Sequence, residues 1–150
     1  MADRHTPAQR SANMARIGAK HTKPELRVRR AAHALGYRFR LHRRDLPGNP
    51  DLVFPRLRLA IFVHGCFWHQ HPGCRRAVLP ASRPDYWLPK LARNQARDAT
   101  ARDALEAAGW HVAEIWECAL STDAAARTAV ADALAGAERA AQAAGNRNAV

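Results

Sequence analysis

Residues 51–74 read DLVFPRLRLAIFVHGCFWHQHPGC, two apolar runs around a proline turn that lead without a spacer into a loop crowded with histidine, cysteine and aromatic side chains. The runs DLVF and LRLAIFV are short, apolar and joined by a proline turn, so they predict two buried strands of an antiparallel hairpin. If the turn centres on Pro55 to Leu57, Asp51 at the start of one strand lies beside Val63 and His64 at the end of the other. A sheet with an apolar face must be covered, which calls for helices elsewhere in the chain.

Those helices are legible. HTKPELRVRRAAHALG carries Thr22 and Glu25 at capping-box spacing, Val28, Ala31, Ala32 and Leu35 at helical spacing, and Gly36 as a stop. YRFRLH alternates Tyr37, Phe39 and Leu41 with basic residues and predicts a strand with one wet face. Ser82 and Asp85 read as a second capping box opening a helix to about Ala108, with Pro89 inside it and Gly109 ending it. WHVAEIWEC predicts the last strand, with Trp110 and Trp116 in the core, and the alanine-rich stretch from Thr122 to Ala144 a closing surface helix. The expected class is α/β, a small mixed sheet flanked by helices. Its parts are a basic arm at 1–20, a core at 21–120 and an alanine-rich helix and tail at 121–150.

Charge narrows the partner. The 150 residues carry a formal net charge of +11, and residues 1–50 hold 12 basic and 3 acidic side chains against 4 and 7 in residues 101–150. Such a field suits nucleic acid or an anionic membrane. No apolar run nears the roughly 18 residues that span a bilayer, and MADRHTPAQR lacks the apolar centre of a signal peptide. A cytoplasmic protein without membrane association is expected, placed on the nucleoid when bound to DNA.

The three cysteines cannot all pair within one chain, and metal ligation is the better use for them. Cys66, His69, His71 and Cys74, with Cys118 beyond the last strand, offer more nitrogen and sulfur donors than a tetrahedral zinc needs; three cysteines and one histidine close the shell. A closed zinc cannot activate water, so chemistry must sit elsewhere. Asp51 with a strand-end carbonyl can hold magnesium, which prefers oxygen. A nearby histidine, with an ordinary pKa of about 6.5, suits removal of a proton from water. Glu25 alone reads equally well as the capping-box acid.

The segments RSANMARIGAKHTKPE, LHRRDLPGNPDLVF, FVHGCFWHQHPGC, DYWLPKLARNQARD and GWHVAEIWEC together resemble the Vsr family, the very-short-patch repair endonucleases, over about residues 10–120. The resemblance implies a restriction-endonuclease-like fold, a structural zinc, and magnesium-dependent nicking on the 5′ side of the thymine in a T:G mismatch left by deamination of 5-methylcytosine. It implies that Asp51 and the Val63 backbone carbonyl bind magnesium, that Glu25 and His64 support its water shell, and that His69 is the general base. Zinc then falls to Cys66, His71, Cys74 and Cys118. Phe67, Trp68 and Trp87 become wedges inserted beside the mismatch, and Met14, Lys90 and Asn94 mismatch contacts. Double-stranded DNA with a T:G mismatch, a monomeric enzyme and contact with mismatch-repair proteins complete the expectation. The chain departs from the pattern where Pro72 and Gly73 lengthen the spacing before Cys74 and where Val63 and His64 replace the fold's usual second acid and lysine. A related nuclease of different DNA specificity and a non-catalytic zinc-stabilised DNA-binding module are the alternatives.

Overall fold

The computed structural model describes residues 22–148, so the expected basic arm and Met14 lie outside the described residues. Helix α1 (Lys23–Ala34) is followed by β1 (Arg40–Leu41), β2 (Leu52–Phe54), β3 (Leu59–His64), α2 (Pro84–Ala107), β4 (His111–Trp116) and α3 (Asp123–Asn148). The strands form one sheet in the order β1-β2-β3-β4. β1, β2 and β3 pair antiparallel, and β4 joins β3 in parallel after the α2 crossover. Among the described residues no helix is long and apolar enough to cross a membrane.

The pleat divides β3 between two faces. Leu59 and Ile61 join Val28 and Ala32 of α1 and Val130 and Leu134 of α3 in the main core, while Ala60 and Phe62 meet Ala101 and Leu105 of α2. The sheet is therefore sandwiched, α1 and α3 on one side and α2 on the other. His64 ends β3 in step with Ala60 and Phe62, its ring stacked on Phe62 at 5.8 Å. The alternation that builds the core thus carries a histidine toward α2. Gly48 matters here: its φ is +75°, and a Cβ would lie 2.6 Å from the Ala101 Cβ.

Three expectations are corrected. α2 begins one residue later than a Ser82–Asp85 box requires, because Pro84 takes the first helical position and Arg83, at φ 56°, becomes the cap with no side-chain hydrogen bond. The strand expected across Tyr37 to His42 pairs only at Arg40 and Leu41, since β2 is itself three residues long; Tyr37 and Phe39 pack on the core instead. The alanine-rich helix is no mere surface cover. Ala126, Val130, Leu134 and Ala137 are buried in the main core, and small side chains on both helices let α3 lie close to Ala31 and Ala32 of α1.

Candidate active site

Among the described residues, three clusters of metal-ligating type gather at the end of β3 that leads into the histidine loop. The first is Cys66, His71, Cys74 and Cys118, whose donor atoms lie within 4.8 Å of one another. His71 Nδ1 stands 3.7 Å from Cys66 Sγ and 3.4 Å from Cys118 Sγ. Tetrahedral zinc bound to sulfur and nitrogen would separate such donors by about 3.6 Å, so the residues fit. Burial pushes the Cys66 thiol up to about 12, with the Cys118 and Cys74 thiols beside it adding to the shift. Three sulfurs and one imidazole nitrogen form the donor set of a closed structural zinc site. The structure places His71, not His69, among the three sulfurs, and sets His69 against Asp98.

Two contacts brace this loop that the sequence did not announce. Glu117 accepts the Cys66 N–H at 3.1 Å. Trp116 is half-buried rather than core, its ring stacked on His71 at 4.2 Å and tilted against His64 at 5.1 Å. Trp110 is half-buried but packs against the Ala60–Phe62 side of the core, with the Arg58 guanidinium 5.1 Å from its ring.

The second cluster is His64, His69 and Asp98. The His64 and His69 rings stack at 4.0 Å, and His69 Nδ1 is 2.6 Å from Asp98 Oδ2. A carboxylate can only accept there, so Nδ1 carries the proton and a neutral ring would present its lone pair at Nε2. That orientation suits a general base. Burial, and then the neighbouring His69, push His64 down to about 4, which keeps it neutral near pH 7. Asp98 was missed because it sits 29 residues away on α2 and looks like any exposed helix acid.

The third cluster is Glu25, His42 and Asp51. The hairpin register pairs Leu52 with Ile61, and just past this pair the Val63 N–H donates to Asp51 Oδ2 at 2.7 Å. The predicted neighbourhood of Asp51 and Val63 is therefore present. Glu25 makes only half a capping box: its N–H donates to Thr22 Oγ1 at 3.3 Å, while its buried carboxylate turns to His42 Nε2 and Arg29. Burial pushes Asp51 up to about 6, the nearby Glu25 carboxylate adding and the Val63 N–H, His42 and His69 opposing. Two shielded carboxylates facing one another beside an imidazole suit a bound cation. The oxygen donors fit magnesium, and the Val63 carbonyl needs no side-chain oxygen to serve beside them.

Next to the loop lies a cluster of rings. Phe67, Trp68 and Trp87 are half-buried and pack on one another at 5.1 to 5.9 Å, outside both core clusters. Exposed Tyr86 adds a fourth ring 5.0 Å from Trp87, unforeseen although it adjoins Trp87 in the sequence. The Lys90 ammonium stands 5.5 Å from the Trp68 ring, and Asn94 Nδ2 donates to the Trp68 carbonyl at 3.2 Å. Asn94 thus holds the loop that carries Trp68.

A family model described as DNA mismatch endonuclease Vsr matches residues 2–76. The chain is 56% identical to the Type II nicking enzyme V.XorIIP of Xanthomonas oryzae pv. oryzae over 121 residues, 81% of this chain and 88% of the relative. It is 42% identical to the DNA mismatch endonuclease Vsr of Escherichia coli over 120 residues, 80% and 76% of the two chains. The Type II nicking enzyme V.NmeAIP of Neisseria meningitidis is 38% identical over 127 residues, 85% and 90% of the two. With the mixed sheet and its clustered acids and histidines, these matches define a DNA endonuclease. The chain belongs to the Vsr family. A DNA-binding module without activity is set aside.

Proposed function

We propose that this endonuclease nicks one strand 5′ to the thymine of a T:G mismatch arising from 5-methylcytosine deamination, on a restriction-endonuclease-like fold with catalytic magnesium and structural zinc. The observation that carries the reading is the His69–Asp98 hydrogen bond at 2.6 Å, set in the loop that also bears Phe67 and Trp68. Asp51 and the Val63 carbonyl hold magnesium, with Glu25 and His64 supporting its water shell. Magnesium, when bound, positions the phosphate and offsets charge on the leaving oxygen. His69, oriented by Asp98, takes the proton from the attacking water.

Phe67, Trp68 and Trp87 enter the stack beside the mismatch. Unstacking costs a few kcal/mol, less for a mismatched base, so the wedge also selects. Lys90 and Asn94 contact the mismatch region, Asn94 while steadying Trp68, and Met14 does so from the arm. Zinc on Cys66, His71, Cys74 and Cys118 keeps this loop rigid. A monomer in the cytoplasm, in contact with mismatch-repair proteins, is part of the same reading.

Incubation of the zinc-loaded protein with magnesium and end-labelled duplexes bearing T:G or T:A, in CTWGG-like and scrambled contexts, tests it. A single nick 5′ to the mismatched thymine is expected. Cutting of the T:A duplex favours a nuclease of different specificity, a reading to which the name of the Xanthomonas relative, a Type II nicking enzyme, lends support. No product with any divalent ion overturns both.

Asp98 gives a sharper test of the base. In Asp98→Asn, single-turnover nicking falls roughly 10²- to 10⁴-fold, because the amide no longer fixes the His69 proton. DNA affinity stays as it was. An unchanged rate and pH profile would mean that Asp98 plays no part in orienting the base.

A further inference from the structure

His42 has no part in the proposed reaction. It follows β1 with φ 45°, a left-handed backbone that a residue with a Cβ adopts at a cost. The conformation lets its N–H donate to the Asp51 carbonyl at 3.3 Å while its ring reaches inward, 13% exposed, against Glu25 Oε1 and 4.0 Å from Asp51 Oδ1. Arg29 meets the other Glu25 oxygen at 3.3 Å, so Oε1 is the atom turned to the cluster. One donor atom from each of Glu25, His42 and Asp51 falls within 4.8 Å of the others, a span that an ion bound at about 2.1 to 2.3 Å bridges with small side-chain shifts.

We infer that His42 is a nitrogen ligand of the cation that Asp51 holds, with Glu25 beside them, and that this donor tilts the site toward Mn²⁺ over Mg²⁺. Magnesium is a hard ion that prefers an oxygen shell, whereas imidazole nitrogen suits first-row transition ions. Val63 contributes no side-chain oxygen, so the imidazole is the third side-chain donor of the cluster. The inference rests on Asp51 as a metal ligand, and it deepens that reading by naming the chemistry of the ion the site prefers.

The test uses zinc-loaded protein and no DNA. Electron spin echo measurements on bound Mn²⁺ should show nitrogen coupling that changes when the histidines carry ¹⁵N in their rings. His42→Gln should lose the coupling and weaken Mn²⁺ binding by roughly 10- to 100-fold, with Mg²⁺ affinity falling less than about 3-fold because magnesium gains little from nitrogen. Labelled wild-type protein answers the first question even if the variant folds poorly. No nitrogen coupling in the wild type overturns the inference. Coupling that survives His42→Gln also overturns it, by assigning the donor to another histidine. Asp51→Asn separates the two readings: if it leaves Mn²⁺ affinity intact, Asp51 is not a ligand, whereas loss of Mn²⁺ there with none in His42→Gln refutes only the role of His42.

Discussion

Asp51→Asn abolishes nicking and at the same time makes the protein more stable at neutral pH. Removing a residue that holds the metal should lower the rate on the order of 10³-fold or more. The gain in stability has a separate origin. Burial raises Asp51 from an ordinary 3.8 to about 6, so at pH 7 the folded chain carries a carboxylate in surroundings that favour the neutral acid. Asparagine is nearly the same shape and can still accept the Val63 N–H now 2.7 Å from Oδ2. The full shift corresponds to about 3 kcal/mol, and relaxation and residual solvent make about 1 to 2 kcal/mol a fairer expectation, a rise in Tm of several degrees at about 2 to 4 °C per kcal/mol. Thermal unfolding at pH 7.5 without divalent ions reads it. A less stable variant would show that the carboxylate is welcome in the fold without metal.

Between about 3.8 and 6 the folded state holds a proton on Asp51 that the unfolded chain has lost, so this group's contribution to stability falls as pH rises through that window. His64 runs the other way. Its folded pKa of about 4 lies below the ordinary 6.5, so the unfolded chain binds the extra proton and stability is lost as pH falls from 6.5 toward 4. In the wild type the two slopes oppose across most of the same range. Asp51→Asn removes one of them, and the variant should lose its advantage on acidification, falling more steeply than the wild type between pH 6.5 and 4. An advantage that persists undiminished at pH 4 would separate the stability gain from Asp51 ionisation.

The same trade-off explains which parts of the site were legible in the sequence. Asp51 beside Val63 followed from counting a hairpin, because strand register is set by the turn and a period of two. The cysteine cluster followed from donor density, and only the choice of histidine needed the fold, which sets His71 among the sulfurs and His69 against Asp98. His42 and Asp98 could not be read. One depends on a left-handed residue after a two-residue strand, the other on how the parallel crossover lays α2 against the loop. The alanines of α3 misled for a related reason: alanine gives little apolar contrast, so the stripe from Ala126 to Ala137 becomes visible only when α1 packs against it. Trp116 likewise resembles a core tryptophan in sequence and takes its place from the rings of His71 and His64.

Cys118→Ser should remove zinc and most of the order of the histidine loop together. Cys118 lies beyond β4, 47 residues from His71, so as a zinc ligand it would tie the loop to the edge strand β4. Structural zinc sites carry about 10 to 16 kcal/mol of apparent binding energy in small peptides, and a serine hydroxyl is a poor substitute for a thiolate. Metal content should fall from about one zinc per chain to a small fraction, with a loss of several kcal/mol in stability that a strong chelator reproduces on the wild type. Nicking should fall with it, because Phe67, Trp68 and His69 all ride on the segment between Cys66 and His71. The decisive comparison is with His69→Ala, which should abolish nicking with zinc content and melting temperature nearly unchanged. Zinc loss in that variant would exchange the roles of the two histidines, and full zinc retention in Cys118→Ser would reduce the ligand set to the loop itself. The predicted split, stability lost at Cys118 and chemistry lost at His69, follows from a loop whose rigid side and reactive side face different neighbours, Trp116 at one and Asp98 at the other.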